Sequence, residues 1–313
     1  MSGRAGSRPG SYMGFVGVST AGSAIRTVFP QWADALGLPT RTLVGHDVAL
    51  DAPPATYRAL VEQIRDDPDH WGALVTTHKM AVHAAAGDLF DELDELAETF
   101  GEISCVAKRD DRLVGSAKDP VTARLALEEF LGGNHFARTG GEALILGSGG
   151  AGTALSQQLG VRSDLPTRLT CTALSREPLD HARAVHDRAG LPAGLVRYVQ
   201  TPDQDAVDAL VASLPPSSLV VNATGMGKDR PGSPVSAAVA FPPRAVVWEF
   251  NYRGPLDFWH QARGQQQDRE LDVHDGWRYF VHGWTQAVAE VFDVAMPSRT
   301  VDELGEIAAR NRG

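Results

Sequence analysis

Short apolar runs alternate with longer amphipathic segments along the first part of the chain. The apolar runs are typical of buried strands, and an apolar stripe at helical spacing predicts a helix. A hairpin is predicted around Asp110-Asp111. The predicted strands are 13–18, 41–45, 71–76, 102–108 and 112–115, and the predicted helices are 24–36, 54–66, 80–86 and 121–131. Such alternation of strands and helices predicts a mostly parallel sheet with covered faces.

The second half of the chain continues the alternation and predicts a second sheet. The strand-like runs are 142–146, 169–174, 195–200, 218–223 and 245–250, and the helical patterns are 153–159, 178–188, 206–214, 280–294 and 302–310. This order is typical of a doubly wound nucleotide-binding domain. The fold class is therefore α/β, with two domains.

A glycine-rich run lies where the first strand of this second set meets its helix. The residues Gly147, Gly149 and Gly152 form a Gly-x-Gly-x-x-Gly pattern. The first glycine permits a tight turn, the second lets backbone N–H groups approach a pyrophosphate, and the third lets the helix pack closely on its strand. The helix N-terminus adds unpaired donors. The context predicts a dinucleotide site that includes Gly150 and Ala151, and the alternative is a purely structural turn.

Composition and charge narrow the class of partner. The 313 residues suffice for two cores, and 43% of them are hydrophobic and 22% charged. A net charge of −10 without a basic stripe argues against a nucleic-acid partner. No apolar run reaches the ~20 residues of a membrane span, and no Cys/His cluster has metal-ligand spacing. We therefore predict a small-molecule partner, with no membrane and no metal.

Two further features bear on the location of the protein. Residues 1–12 have the composition of a disordered tail and lack the apolar core of a signal peptide. Cys105 and Cys171 lie in apolar runs, which suits free thiols in a reducing cytoplasm. We expect a cytoplasmic protein.

The order of motifs resembles the shikimate/quinate dehydrogenase family over nearly the whole chain from Gly14. Taken together, these motifs are specific, whereas none is specific alone. The segment 75–79 resembles that family's Val-Thr-x-Pro-x-Lys without its proline, and 112–119 resembles its Gly-x-Asn-Thr-Asp. The segment 221–227 is similar to its nicotinamide-side loop, 249–252 to its Asp-x-x-Tyr, and Asp275-Gly276 to the start of its C-terminal helices.

The resemblance implies that Lys79 and Asp119 carry the catalysis. Hydride leaves a carbinol carbon only as the hydroxyl proton departs, so a base must lie within hydrogen-bond reach. A lysine can be that base when burial lowers its pKa, while an adjacent carboxylate aligns it with the hydroxyl. Which of the two carries the proton stays open, and the alternative is a surface lysine and a turn aspartate that match by chance.

The substrate shell departs from the family pattern. The resemblance assigns Ser23, Thr76, Ser104, Tyr252 and Gln286 to substrate binding. Ile25 replaces a second serine, Ser104 and Ala117 stand at two asparagine positions, and the family glutamine aligns with Gly283 unless the alignment shifts to Gln286. Because lost hydrogen-bond partners change the preferred substrate, we expect one other than shikimate. Nearby polar candidates, each more simply explained as a solvated residue, are Arg26, His78, Lys118, Arg124 and His282.

The choice of cofactor depends on the end of the second strand of the nucleotide domain. Ser175 and Arg176 resemble the family's Asn-Arg-Thr clamp for a 2′-phosphate, which favours NADP over NAD. Glu177 stands where the family has threonine, and its charge would repel the phosphate if it pointed inward. On the nicotinamide side the resemblance assigns Ala223, Thr224, Gly225 and Met226.

The domain boundaries follow from the same comparison. We predict a substrate domain of residues 13–131 with 276–313, the last helices returning to it, and an NADP-binding domain of residues 135–275. The active site is expected in the cleft between them.

The predicted function is reversible hydride transfer between NADP and a secondary alcohol or ketone on a small polyhydroxylated ring, by a monomer or homodimer. The family implies aromatic amino acid biosynthesis. One alternative is an authentic shikimate or quinate dehydrogenase, and another is an NADP-binding sensor without turnover.

Overall fold

The computed structural model describes residues 10–228 and 230–312. Residues 1–9 of the predicted tail lie outside the described residues. By its internal contacts the chain divides into two compact units. One unit comprises the described residues up to Lys118 and those from Val281 onward, and the other is Asp119–Phe280.

The first unit contains a six-stranded sheet of mixed direction. Its strands are β1 Tyr12–Gly17, β2 Leu43–Asp47, β3 His70–Val75, β4 Glu92–Leu93, β5 Cys105–Arg109 and β6 Arg112–Ser116. They lie in the order β2-β1-β3-β5-β6-β4. β1 is parallel to β2 and β3, and β5 is antiparallel to β3 and β6. The start of β5 and the end of β6 therefore lie at the same edge as the carboxyl end of β3.

Amphipathic helices supply the apolar side chains that pack in this unit. The first four helices are α1 Ile25–Leu36, α2 Pro54–Asp66, α3 Lys79–Ala86 and α4 Glu95–Phe100. In α2 the buried residues Tyr57, Leu60, Val61 and Ile64 recur at helical spacing and join the core with Val16 and Val75 of the sheet. Burial of this face stabilises the helix far more than its intrinsic propensity does.

β1 begins one residue before the predicted domain boundary at residue 13. Tyr12 is the first residue of the strand, and its hydroxyl donates a 2.7 Å hydrogen bond to Asp67. The sheet therefore includes the last residue of the segment that the sequence assigned to a tail.

The second unit contains a six-stranded sheet in which every pairing is parallel. Its strands are β7 Ala143–Leu146, β8 Leu169–Ala173, β9 Val196–Gln200, β10 Leu219–Asn222, β11 Val246–Glu249 and β12 Asp272–His274. They lie in the order β12-β11-β10-β7-β8-β9, so the chain reverses its direction of winding between β7 and β10. Ligands of doubly wound sheets bind at the carboxyl ends of the strands at such a reversal.

Helices pack against this sheet to form two buried apolar clusters. The helices are α5 Asp119–Glu128, α6 His135–Thr139, α7 Gly150–Val161, α8 Arg176–Arg188, α9 Gln204–Ala212 and α10 Asp257–Arg269. Ala123 and Leu127 of α5 share one cluster with Leu155 and Leu159 of α7. This packing explains why α5 belongs to the second unit, although the sequence predicted that the first domain extends to residue 131.

Two helices complete the chain, α11 Trp277–Phe292 and α12 Ser298–Ala309. The division between the units falls inside α11, and residues from Val281 onward belong to the first unit. There the indole N–H of Trp32 on α1 donates a 2.8 Å hydrogen bond to the carbonyl of Leu304 on α12. In the described part of the chain, no helix combines the length and apolar character needed to cross a membrane.

Candidate dinucleotide site and catalytic residues

The glycine turn has a backbone that other residues could not adopt without strain. Gly147 has a φ of +96°, and a Cβ there would lie 2.8 Å from the carbonyl carbon and oxygen of Ala223. A Cβ on Gly152 would overlap the carbonyl oxygen of Gly147. The two glycines therefore allow β7, α7 and the loop after β10 to approach closely.

Gly149 serves a different purpose in the same turn. It is the N-cap of α7 with no side-chain cap, and a Cβ at this position would meet nothing within 4 Å. The next residues, Gly150 and Ala151, lie in the first turn of the helix, where N–H groups have no acceptor within the helix. Free space beside Gly149, at a helix N-terminus without a side-chain cap, fits the pyrophosphate of a dinucleotide.

The loop after β10 lies beside this turn. Asn222 at the end of β10 pairs with Leu146 at the end of β7, and the N–H of Ala223 donates a 2.7 Å bond to the Leu146 carbonyl. The structure thus brings the two predicted halves of the cofactor site together at the reversal of winding. Their assignment to the cofactor stays a prediction.

Side-chain hydrogen bonds hold this loop in one conformation. The Asn222 amide oxygen accepts from the N–H of Thr224 at 3.1 Å and from its hydroxyl at 2.6 Å. The Thr224 hydroxyl in turn accepts from the N–H of Met226 at 3.1 Å. Gly225 between them has a φ of +75°. The orientation of the Asn222 amide therefore helps to set the conformation of residues 223–226.

Glu249 lies behind this loop at the end of β11, opposite Asn222. Its side chain is fully buried and accepts from the Asn222 amide nitrogen at 2.6 Å and from the Asn251 N–H at 2.7 Å. Burial is the main cause that raises the pKa of the Glu249 carboxyl to about 7, and the nearby charge of Asp275 contributes to the same rise. In the sequence, Glu249 stands out only as the first residue of the segment 249–252. Its one signal as a functional residue was a carboxylate at the end of an apolar strand.

The predicted 2′-phosphate clamp follows β8. Ser175 is the N-cap of α8 without a side-chain capping bond, and Arg176 is the first residue of that helix. Both side chains are exposed, as is that of Glu177. An exposed arginine at a helix N-terminus is available to an anionic group, but Glu177 is equally exposed beside it.

In the first unit, several predicted site residues lie at the carboxyl edge of β3. Thr76 follows β3, and its hydroxyl donates to the Val16 carbonyl of β1 at 3.1 Å. Lys79 begins α3, and its carbonyl accepts from the N–H of Ile103 at 3.1 Å. The hydroxyl of Ser104 accepts from the N–H of Lys118 at 2.6 Å. The backbone of Lys79 is thus fixed beside Ser104 and Thr76.

The other predicted site residues have varied surroundings. Ser23 is buried just before α1, and Gln286 is half-buried on α11 in the same unit. In the second unit, the ring of Tyr252 packs against Trp277 and Phe280, with centroid distances of 5.6 and 4.5 Å. Asp119, also in the second unit, is 9% exposed and is the first residue of α5.

Three of the additional polar candidates already have partners within the protein. His78 is buried, with its Nδ1 3.1 Å from the Tyr57 hydroxyl and its Nε2 2.9 Å from the Val48 carbonyl. Both ring nitrogens of His78 are thus already in contact with other groups of the protein. Lys118 forms an ion pair with Glu290 at 2.9 Å, and Arg124 forms one with Glu128 at 3.0 Å. Of the other two candidates, Arg26 is exposed and His282 is buried.

The doubly wound sheet with its glycine turn defines the class, a dinucleotide-binding protein. No family model matches the chain. Curated relatives match most of it. The NADP-dependent shikimate dehydrogenase of Symbiobacterium thermophilum is 31% identical over 251 residues, which are 80% of this chain and 78% of the relative. That of Methylobacterium radiotolerans is 30% identical over 269 residues, 85% of this chain and 86% of the relative.

Solved structures have the same fold. The quinate dehydrogenase of Corynebacterium glutamicum in complex with NAD gives a TM-score of 0.70 at 18% identity, over 96% of this chain and 99% of that chain. The shikimate 5-dehydrogenase of Thermus thermophilus in complex with NADP(H) and shikimate gives a TM-score of 0.69 at 22% identity, over 95% of this chain and 99% of that chain. The chain belongs to the shikimate dehydrogenase family, as its motifs predicted.

Proposed function

We propose that the protein is an NADP-dependent dehydrogenase that interconverts a secondary alcohol and a ketone on a small polyhydroxylated ring. The observation that carries this proposal is the meeting of the glycine turn with the 223–226 loop at the reversal of the doubly wound sheet. Membership in a family of NADP-dependent enzymes supports the same conclusion.

The residues that would hold the cofactor are those of the two halves of this site. The N–H groups at Gly150 and Ala151 would bind the pyrophosphate, the 223–226 loop would hold the nicotinamide half, and Arg176 would pair with the 2′-phosphate. When bound, NADP supplies the acceptor for the hydride. The chain itself supplies binding, orientation and proton transfer.

Lys79 and Asp119 are proposed as the proton-transfer pair. The hydroxyl proton of the substrate must leave as the hydride leaves, and a positioned side chain that takes it lowers the barrier. Two features support the assignment. Lys79 stands at the family's lysine position with its backbone fixed by Ile103, and Asp119 is a carboxylate with little exposure to solvent.

The substrate is proposed to differ from shikimate. The hydroxyl of Ser104, which stands at an asparagine position of the family, is already used by the N–H of Lys118 and lies 3.4 Å from the Ser116 carbonyl. A hydroxyl held by the main chain is a weaker substrate ligand than a free amide. Shikimate itself remains the alternative that the curated relatives favour, since they are shikimate dehydrogenases.

We further propose a cytoplasmic location. Cys105 and Cys171 are free and buried, and burial raises the pKa of each thiol to about 12. Such thiols are unreactive packing residues, as expected in a reducing compartment. We expect a monomer or a homodimer, which light scattering of the purified protein distinguishes.

The cofactor assignment gives a direct binding test. The protein should bind NADPH at least about ten times more tightly than NADH, a difference of about 1.4 kcal/mol. Arg176→Ala should remove most of that preference and leave NADH binding nearly unchanged, because NADH has no 2′-phosphate for the guanidinium to pair with. Titration of cofactor fluorescence measures both affinities.

A matched control is Arg197→Ala, which removes another exposed arginine, from within β9. This variant should keep the preference for NADPH. Equal affinity of the wild type for the two cofactors would contradict the assignment and would indicate that Glu177, not Arg176, faces the ribose.

A further inference from the structure

The amide of Asn222 can be oriented in two ways, and its neighbours decide which one is adopted. Its nitrogen donates to Glu249, and its oxygen accepts two hydrogen bonds from Thr224. A carboxylate can only accept hydrogen bonds, so it must face the amide nitrogen. The amide oxygen is then left for Thr224. The ionised form of Glu249 therefore selects the orientation that holds the loop.

Asn251 extends the same network to the far end of the loop. Its N–H donates to Glu249 at 2.7 Å, and its side-chain nitrogen donates to the carbonyl of Met226 at 2.9 Å. One buried carboxylate thus anchors residues on both sides of the loop, through Asn222 on β10 and through Asn251 beyond β11.

We propose that Glu249 is a positioning residue of the dinucleotide site, whose carboxylate orients Asn222 and Asn251 and so holds residues 223–226 in the conformation that binds the nicotinamide half of the cofactor. This inference rests on the proposed function, since it assigns the loop to the cofactor. Glu249 lies behind the loop and acts through its neighbours.

Protonation of Glu249 should release the loop. A protonated oxygen becomes a donor and faces either the Asn222 amide nitrogen or the Asn251 N–H, both of which are donors. If Asn222 reverses its amide to accept from the carboxylic acid, its nitrogen faces the N–H and hydroxyl of Thr224. The hydroxyl can turn to accept, but the N–H of Thr224 can only donate. A donor then faces a donor at this N–H, and the hydrogen bond that anchors the backbone of the loop is lost.

The surroundings of Glu249 cause its carboxylate to become protonated near neutral pH. Full burial disfavours the charge, and the neighbouring Asp275, in the segment between β12 and α11, disfavours a second negative charge. The side chain that faces it from β10 is the neutral Asn222. Burial and Asp275 outweigh the hydrogen bonds from the two asparagines, so the pKa is about 7. The affinity for the cofactor should therefore fall as the pH falls through this value.

The test is the affinity for NADPH between pH 6 and pH 8, by cofactor fluorescence. If only the carboxylate form binds, wild-type affinity should be about tenfold weaker at pH 6 than at pH 8, because the competent fraction falls by that factor. Glu249→Gln has no carboxylate form at any pH, so it should bind NADPH at both pH values no more tightly than the wild type does at pH 6. The amide of the introduced glutamine carries no charge, and its NH₂ group presents a donor where the carboxylate presented only acceptors. Glu249→Asp retains the charge and should recover part of the affinity at pH 8.

Two comparisons separate the effect of Glu249 on the loop from other causes of a pH-dependent affinity. The 2′-phosphate of NADPH titrates in the same range, with a pKa near 6. For this reason, the informative quantity is the difference between the profiles of the wild type and Glu249→Gln. Asp164→Asn is the matched control, since Asp164 is a buried carboxylate that accepts from the N–H groups of Phe136 and Ala137. It should lower stability without changing the pH profile of NADPH binding.

The outcomes distinguish the inference from the proposed function. Wild-type affinity and pH profile in Glu249→Gln would overturn the inference alone. If that variant does not fold, a wild-type affinity for NADPH that does not fall between pH 8 and pH 6 would do the same. A wild type that binds no NADPH at pH 8 would overturn both the inference and the proposed function.

Discussion

Replacing Lys79 or Asp119 by alanine is expected to lower kcat by about 10² to 10⁴, the usual contribution of general acid–base catalysis. The affinity for NADP should hold, because neither residue belongs to the glycine turn or the 223–226 loop. If the two side chains share one proton-transfer step, the double variant should lose little more than the worse single variant. Steady-state kcat of the three variants measures this.

Two variants in the sheet of the first unit control for nonspecific loss. Lys108→Ala removes a lysine near the other end of β5, and Asp111→Asn changes an exposed residue of the β5–β6 turn. Both should retain wild-type kcat. Losses that multiply in the double variant, or a single variant within about threefold of wild type, would mean that Lys79 and Asp119 are not one catalytic unit.

Gly152→Ala is expected to damage both the fold of the second unit and cofactor binding. The added Cβ would overlap the backbone oxygen of Gly147, so α7 must move away from β7. Overpacking against a backbone atom costs about 3 kcal/mol of folding free energy. The shifted turn should also bind NADPH roughly a hundredfold more weakly, a change of about 2.7 kcal/mol. Thermal unfolding and cofactor titration measure the two effects.

Gly149→Ala is the matched variant in the same turn. Its Cβ would meet nothing within 4 Å of the protein, so stability should stay near that of the wild type. Binding of NADPH should still weaken, because the methyl group occupies the space in front of the first N–H groups of α7. If Gly149→Ala kept full affinity, the pyrophosphate would not bind at this turn.

Elements with a clear apolar period could be predicted from sequence. The helix predicted at 54–66 has the same bounds in the structure, since a proline begins it and four buried residues recur at helical spacing. α10 was missed because it buries only Phe258 and Ala262, and its second half contains a run of three glutamines. β12 was missed because Val273 is the one apolar side chain of a three-residue edge strand.

The candidate site was predictable only as far as its motifs are local. The glycine turn is one continuous run, and its strand and helix stand on either side of it in the sequence. The network around Glu249 depends on the register between β10 and β11, which places Asn222 opposite Glu249 across 27 positions. The contacts of His78 also could not be predicted, because its partners Tyr57 and Val48 lie in separate parts of the chain. Contacts of this kind are set by tertiary packing, which no single-sequence pattern encodes.

The measurement that tests the central claim most directly is turnover with NADP on a panel of shikimate, quinate, aminoshikimate and inositols, by the wild type and by Lys79→Ala. The account predicts NADP-dependent oxidation of at least one member of the panel other than shikimate, with the rate lost in Lys79→Ala while NADPH still binds. Efficient turnover of shikimate at micromolar KM would contradict the altered substrate. A wild type that binds NADPH but oxidises none of these alcohols would contradict the dehydrogenase itself and favour an NADP-binding sensor.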